Sequence, residues 1–316
     1  MLEKSPENIK AQYDQLVAML MPHMPPPSEN VISEDGEVDG IKYRLYKPKS
    51  ASGPLPVAIW THGGGFMTGD LNSDDVLCRL VCEHTNSVVV NIDYRLTPDY
   101  KWPTQLEDSM KVYRWAHANA RSIGGDPNKF YTIGASAGGA LALQVANQAL
   151  RDPQLKSSIK GIAAGVPFVV HPSNVPQKYQ AQYKAYTENA KGVPIIDRDS
   201  MDIFFEAAGG DPSDPSLWIL LADNHKDFPP TYLTSCEFDP LRDDAKLMEA
   251  AFKEAGVPTK HDFYPGMPHY FWSKSGLLLI GRAPRADRDI VFPGIPEAQQ
   301  YVGNLLAGIG WLQSQM

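Results

Sequence analysis

The chain places one serine in a setting that favours nucleophilic chemistry. Ser136 is the centre of the string Gly-Ala-Ser-Ala-Gly over residues 134–138. An apolar run, 130–133, precedes this string and a helix-forming run, 140–146, follows it. Together they predict a strand, a tight turn and a helix, and glycine on both sides of the serine permits a strained turn that raises the hydroxyl above the sheet. The pattern predicts a serine that attacks a carbonyl carbon.

A glycine-rich loop upstream predicts a partner for that serine. The string His62-Gly-Gly-Gly-Phe66 follows the strand-like run 55–60. Three successive glycines leave backbone N–H groups uncovered, so these groups can approach a carbonyl oxygen from one side while the amide of Ala137 approaches from another. Either motif alone has a structural alternative, a simple turn braced by His62, but their joint presence favours an oxyanion hole.

A serine nucleophile needs an acid and a base later in the chain. Asp239 follows the strand-like run 231–236 and is predicted to be the acid. The neighbouring Glu237 is expected on the opposite face of the strand. Asp243 and Asp244 stand at a helix start, where a carboxylate satisfies free N–H groups, so their predicted role is mainly structural.

The predicted base is His269. It follows the strand-like run 260–264 and the turn 265–268, so a loop can carry its imidazole towards the serine. His261 is the rival, but it lies within the strand, where a histidine is more often a packed or surface residue.

These motifs resemble the hormone-sensitive-lipase-like branch of the α/β-hydrolase fold, which includes carboxylesterases and arylacetamide-deacetylase-like enzymes. The resemblance runs from about residue 40 to about 272 and includes the segment 88–98. It implies a triad and three oxyanion-binding amides, at the following positions: Ser136, Asp239, His269, Gly64, Gly65 and Ala137.

Two residues depart from the family pattern. Ala135 stands where an acidic residue is common, and Tyr270 stands where a glycine usually follows the histidine. Neither removes a catalytic group, and Tyr270 is expected to shape the pocket or to donate a hydrogen bond to a substrate. The stretch 273–296 is longer than the usual link to the last helix.

The elements that must position these residues alternate along the chain. Strands are predicted near 56–61, 87–93, 130–134 and 160–166, with helices over 74–84, 105–121 and 136–150. This alternation predicts an α/β fold with a mainly parallel central sheet flanked by helices. We expect residues 1–316 to form a single α/β-hydrolase domain.

A helical cap is expected from two pieces, about 1–30 and about 168–228. Apolar residues at helical spacing over 3–21 predict the first helix, and the segments 177–190 and 199–208 are helix-like. Such an insertion lies above the strand ends, where open α/β sheets bind ligands. The predicted substrate-binding residues, each with ordinary core packing as the alternative, are Phe66, Met67, Phe168, His171, Phe205, Trp218 and Tyr270. Further candidates for the pocket lining, with the same alternative, are Val169, Phe204 and Phe271.

Net charge and cysteine content limit the classes of binding partner and the cellular compartment that we expect. The net charge of −8, without a basic run, argues against nucleic acid and an anionic membrane. The N-terminus lacks the pattern of a signal peptide and the three cysteines are an odd number, which predicts a cytoplasmic protein without structural disulfides. We expect no metal and no cofactor, a small-molecule ester substrate, and a monomer or homodimer.

The leading hypothesis is a serine carboxylic ester hydrolase that acts through an acyl-enzyme on a small to medium apolar ester. A second hypothesis keeps the triad but redirects it to non-hydrolytic chemistry, as in a cyclase, a dehydratase or an acyl transferase. A third, a small-molecule receptor, is disfavoured because His269 is present.

Overall fold

A central β-sheet organises the fold. The computed structural model describes residues 5–20, 26–272 and 296–316. Within these residues the sheet has eight strands. They are Val31–Val38 (β1), Ile41–Pro48 (β2), Leu55–Thr61 (β3), Val88–Asp93 (β4), Gly125–Ala135 (β5), Ile159–Gly165 (β6), Thr231–Phe238 (β7) and Thr259–Pro268 (β8).

The strand order is β1-β2-β4-β3-β5-β6-β7-β8. Pairing is antiparallel for β1 with β2 and for β2 with β4, and parallel for every other pair. The fold is therefore the predicted α/β-hydrolase fold. Because β3, β5, β7 and β8 run in the same direction, their carboxyl ends meet along one edge of the sheet.

Helices cover both faces of this sheet. Those in the described residues are Pro6–Leu20 (α1), Asp75–Thr85 (α2), Thr104–Ala118 (α3), Ala137–Arg151 (α4), Ala185–Glu188 (α5), Arg198–Ala208 (α6), Arg242–Glu254 (α7) and Pro296–Gln313 (α8). Short 3₁₀ turns lie at Pro172–Asn174, Gln177–Tyr179, Ile219–Leu221 and His225–Asp227.

Two apolar clusters, one on each face, hold the layers together. Side chains of α3, α4 and α7 form one cluster with the sheet, and side chains of α2 and α8 form the other. The strands β3 and β4 are buried on both faces, as expected for parallel strands covered by helices. This double burial makes the strand ends rigid supports for the loops that follow them.

The hairpin of β1 and β2 was not predicted from the sequence. Its strands carry many polar residues, so their apolar alternation is weak. The connecting pair, Asp39 and Gly40, has positive φ at both residues, 50° and 79°, and an Asp-Gly pair of this kind is a hairpin signal in its own right.

The predicted helix over 177–190 is largely wrong. The structure has a 3₁₀ turn at Gln177–Tyr179 and the four-residue α5 in its place. The carboxylate of Asp243 accepts the N–H groups of Lys184 and Ala185, each at 2.7 Å. This tertiary contact supplies the backbone partners that a longer helix would otherwise provide.

The two pieces expected to form the cap contact each other. Helix α1 packs on α6, and the Tyr13 hydroxyl of α1 lies 2.8 Å from Ser73 Oγ, just before α2. The long link predicted at 273–296 falls outside the described residues except for Pro296, which begins α8.

Candidate active site

Ser136 occupies a sharp turn between β5 and α4. Its φ and ψ are 58° and −126°, a conformation that non-glycine residues rarely adopt. A Cβ at Gly134 or at Gly138 would lie 2.4 Å or 2.1 Å from the Thr61 carbonyl oxygen. Glycine is therefore required on both sides, because the turn presses against the end of β3.

A hydrogen-bonded chain links this serine to a histidine and an aspartate. His269 Nε2 lies 2.8 Å from Ser136 Oγ, and His269 Nδ1 lies 2.7 Å from Asp239 Oδ2. Both His269 and Asp239 are buried. With Nδ1 donating to the carboxylate, Nε2 is free to accept the serine proton, which is the arrangement that activates a serine nucleophile.

The aspartate is held by its own loop. Its second carboxylate oxygen accepts the Leu241 N–H at 2.8 Å, and the Asn189 side chain donates to the Asp239 carbonyl at 3.0 Å. These bonds fix the carboxylate at the end of β7 while one oxygen faces the imidazole. Asn189, which follows α5, had no signal in the sequence.

The glycine loop after β3 turns sharply beside the serine. Gly64 and Gly65 have φ of 118° and 64°, and the Gly64 carbonyl accepts the N–H groups of Met67 and Thr68, both at 3.0 Å. Within the described part of the chain, no backbone acceptor contacts the amides of Gly64, Gly65 or Ala137. Three donors are thus available to a developing oxyanion.

His62 braces this loop. Its ring is buried, stacks on Tyr94 with centroids 4.2 Å apart, and lies 2.8 Å through Nδ1 from the Gly63 carbonyl. The Tyr94 hydroxyl donates to the His62 carbonyl at 2.6 Å. These contacts hold the start of the glycine loop in place.

A narrow apolar cavity opens above Ser136. Its volume is only about 10 Å³, about the space of one water molecule. The lining residues are Gly65, Phe66, Ser136, Ala137, Phe168, Met201, Phe204, Phe205, Ala208, Leu217 and Trp218. The bound group closest to the serine must therefore be small or must displace side chains.

Four of the predicted substrate-binding residues line this cavity: Phe66, Phe168, Phe205 and Trp218. Three others lie elsewhere. Met67 is fully buried and does not line the cavity. His171 also lies outside the lining and packs against Phe205 and Trp218. Tyr270 turns away from the cavity, and its hydroxyl donates to Asp74 Oδ1 at 2.8 Å.

Helix α6 supplies Phe204, a lining candidate from the sequence, together with Met201 and Ala208, which were not predicted. Met201, Phe204 and Ala208 recur every three to four residues, so they share the helix face of Phe205. That periodicity could have identified Met201 and Ala208. Leu217 lies in an irregular segment, where no spacing rule applies.

The other carboxylates and histidines near the site have structural partners. Glu237 accepts the Gly266 N–H at 2.7 Å. His261 lies between Ser235 Oγ and Glu249 Oε2, at 2.8 Å and 2.9 Å. This second serine-histidine-carboxylate group is not a site, because Ser235 lies fully buried within β7.

Asp244 is fully buried beside the segment that follows β6. It accepts the amides of Val169 and Val170 through Oδ1, and burial raises the pKa of its carboxyl well above the usual range. With Asp243 on Lys184 and Ala185, these carboxylates connect α7 to the segment between β6 and α6.

A metal site and a membrane-spanning helix each have requirements that can be compared with the part of the chain that the structure describes. It contains no group of three histidine, cysteine or acidic residues placed to hold a metal ion. None of its helices is both long and apolar enough to cross a bilayer. Burial raises the pKa of the Cys82 thiol to about 12, so this thiol is poorly suited to ionise and bind metal.

Comparison of the sequence and the structure with known proteins identifies a family and several similar proteins. The sequence pattern of the alpha/beta hydrolase fold matches residues 58–273. A versiconal hemiacetal acetate esterase of Dothistroma septosporum is 60% identical over 316 residues, 100% of this chain and 91% of the relative. A carboxylesterase of Mycobacterium tuberculosis is 32% identical, covering 76% of this chain and 74% of the relative. The crystal structure of vibralactone cyclase matches with a TM-score of 0.84 and 32% identity, over 99% of this chain and 90% of that chain.

Proposed function

Because this chain belongs to the alpha/beta hydrolase fold family, in its hormone-sensitive-lipase-like branch, and is a carboxylic ester hydrolase, we propose that it removes an acetyl group from a larger alcohol. The substrate we propose is versiconal hemiacetal acetate, the ester in the name of the relative that is 60% identical. The observation that carries the choice of acetate is the narrow cavity at Ser136, whose volume of about 10 Å³ is about the space of one water molecule and therefore favours a small acyl group.

We assign the catalytic roles from the hydrogen-bonded chain. Ser136 Oγ attacks the ester carbonyl carbon while His269 Nε2 takes the hydroxyl proton. Asp239 keeps the proton of His269 on Nδ1 and stabilises the imidazolium that forms. The carbonyl oxygen becomes an oxyanion, which the amides of Gly64, Gly65 and Ala137 stabilise.

Collapse of this intermediate breaks the bond to the alcohol oxygen, and His269 returns its proton to the departing alkoxide. The acetyl group is then an ester of Ser136. A water molecule, deprotonated by His269, attacks the acyl carbon, and the products are acetate and the regenerated serine. The aromatic side chains of Phe66, Phe168 and Trp218 exclude other water from the acyl group, which strengthens the hydrogen bonds to the oxyanion.

A second candidate is intramolecular capture of the acyl-enzyme. The match to vibralactone cyclase supports it. This reaction needs an ester whose acyl group carries its own hydroxyl, which attacks the acyl carbon in place of water in the second step and leaves as a lactone when the bond to Ser136 Oγ breaks. The first step, the triad and the oxyanion hole are the same in both reactions. Only the nucleophile that releases the acyl group differs.

Hydrolysis of p-nitrophenyl esters from acetate to decanoate tests the proposal. We expect acetate to be the best substrate, with a steep loss beyond butyrate, and no turnover by Ser136→Ala. In H₂¹⁸O, hydrolysis of versiconal hemiacetal acetate places ¹⁸O in the released acetate. With an ester whose acyl group carries a hydroxyl, release of a lactone in place of the free acid would favour the capture reaction, and equal rates from acetate to decanoate would contradict the small acyl site.

We also propose a cytoplasmic location and a monomer or homodimer. The three cysteines, Cys78, Cys82 and Cys236, are buried and unpaired, as suits a reducing compartment. Cell fractionation and light scattering test the location and the oligomeric state.

A further inference from the structure

Tyr270 directly follows the base and holds a strained backbone conformation. Its φ is 54°, in the region where glycine is far more easily accommodated than a side chain. The side chain does not reach the substrate cavity. A tyrosine at this position must therefore have a use that offsets the strain.

The hydroxyl of Tyr270 binds Asp74, an aspartate whose carboxylate does not cap its own helix. Asp74 is the N-cap residue of α2, but its side chain makes no hydrogen bond to that helix, although capping is the common use of an aspartate there. Its carboxylate instead accepts the Tyr270 hydroxyl at 2.8 Å and Trp60 Nε1 at 3.1 Å. Asp74 is only 5% exposed, so both bonds are shielded from water.

These contacts join two loops of the active site. One is the glycine loop, residues 62–66, which is the oxyanion loop of the proposed reaction, and the other is the loop that carries His269, the base loop. Trp60 lies in β3, two residues before the glycine loop. The Tyr270 ring packs on that loop, since a Cβ at Gly63 would lie 3.4 Å from the end of the ring. Tyr270 is also the next residue in the chain after His269. Tyr270 and Asp74 thus connect the base loop with the oxyanion loop.

We propose that Tyr270, held by Asp74, is a positioning residue that keeps His269 and the oxyanion loop at their catalytic separation. It acts through His269 and Gly63 and touches no reacting atom. This inference rests on the proposed roles of Ser136, His269 and the loop amides. It replaces the expectation from sequence that Tyr270 contacts the substrate.

The test is Tyr270→Phe, which removes the hydroxyl and keeps the ring. The matched control is Tyr46→Phe, because Tyr46 is buried and donates to Asp75 at 2.8 Å, next to Asp74 but away from both loops. We expect similar losses of melting temperature in the two variants. With p-nitrophenyl acetate, Tyr270→Phe should lose about tenfold in kcat with KM within about twofold, because small misplacement of catalytic groups is costly, and Tyr46→Phe should keep its kcat.

A second variant keeps the test decisive if Tyr270→Phe does not fold. Asp74→Asn leaves one acceptor oxygen for its two donors, and its kcat should fall in the same way. The rate at which a fluorophosphonate labels Ser136 should fall with kcat in either variant, because that reaction needs the same serine, histidine and amides.

The inference fails if Tyr270→Phe and Asp74→Asn match Tyr46→Phe in kcat and labelling rate, or if only KM changes. In that case Ser136→Ala still reports separately on the proposed function. Persistent ester hydrolysis by Ser136→Ala would instead overturn the triad itself, whatever the Tyr270 variants do.

Discussion

Substitution of Gly65 tests how helix α6 and the oxyanion loop depend on each other. A Cβ at Gly65 would lie 2.5 Å from Cδ1 of Phe204, which α6 places over the loop. The φ of Gly65 is 64°, so alanine also bears a backbone cost of about 1–2 kcal/mol. Gly65→Ala should therefore move either the loop or the aromatic ring.

The expected loss follows from the role of the loop amides. If the loop moves and one donor no longer reaches the oxyanion, kcat should fall by about 10²–10³-fold. Removing the ring should undo much of this loss. We expect Gly65→Ala/Phe204→Ala to recover at least about tenfold in kcat over Gly65→Ala, because the remaining cost is only the backbone strain.

Two further variants separate strain from crowding. Gly256→Ala has a similar φ of 77° with no atom within 4 Å of the new Cβ, so it should lower the melting temperature and leave kcat unchanged. Gly64→Ala would place its Cβ 2.2 Å from the Thr68 carbonyl oxygen. Since that is a backbone atom, Phe204→Ala should not rescue it.

The assay is p-nitrophenyl acetate hydrolysis, with kcat and KM measured separately and melting curves as the control for folding. The expectation that the loop moves, and not the Phe204 ring, is refuted if Gly65→Ala keeps kcat within about threefold of the parent, well short of the 10²-fold loss of a donor. It is also refuted if Gly65→Ala lowers kcat by the same factor in the Phe204→Ala background as in the parent.

Three other substitutions test the remaining contacts. Asp239→Asn should lower kcat by about 10⁴-fold at unchanged folding, because an amide does not hold the required tautomer of His269; a loss under tenfold in the p-nitrophenyl acetate assay would contradict this. Phe205→Ala should raise kcat/KM for octanoate relative to acetate, and an unchanged ratio would show that α6 does not limit the acyl group. Burial raises the pKa of Asp244, so its contribution to stability is present below about pH 4 and declines as the pH rises towards that raised pKa. Asp244→Asn lacks this decline, so melting curves should show the variant gaining on the parent between pH 4 and pH 8; a pH-independent difference would argue against the buried acid.

Local chemistry explains why much of this site was accessible from the sequence. The turn around Ser136 requires glycine at 134 and 138, and an oxyanion loop requires uncovered amides, so both leave a signature in consecutive residues. Asp239 and His269 directly follow the ends of β7 and β8. Chain order and strand ends then predicted which residues lie along one edge of the sheet.

Contacts between distant segments left no comparable signature. Phe204 on Gly65, Asn189 on Asp239 and Asp243 on the start of α5 each depend on how separate elements pack. Helical spacing over 177–190 also predicted a longer helix than forms, because a tertiary carboxylate supplied partners to its backbone.

The sequence by itself determined the sheet type, the serine turn, the glycine loop and the order of acid and base, because each is specified by neighbouring residues and by the direction of parallel strands. Only the tertiary structure decided the width of the acyl cavity and the partner of Tyr270. Both depend on side chains from remote segments converging on one point: α6 onto the oxyanion loop, and Asp74 onto the loop of the base. Packing of that kind is a property of distances in space, which spacing along the chain does not encode.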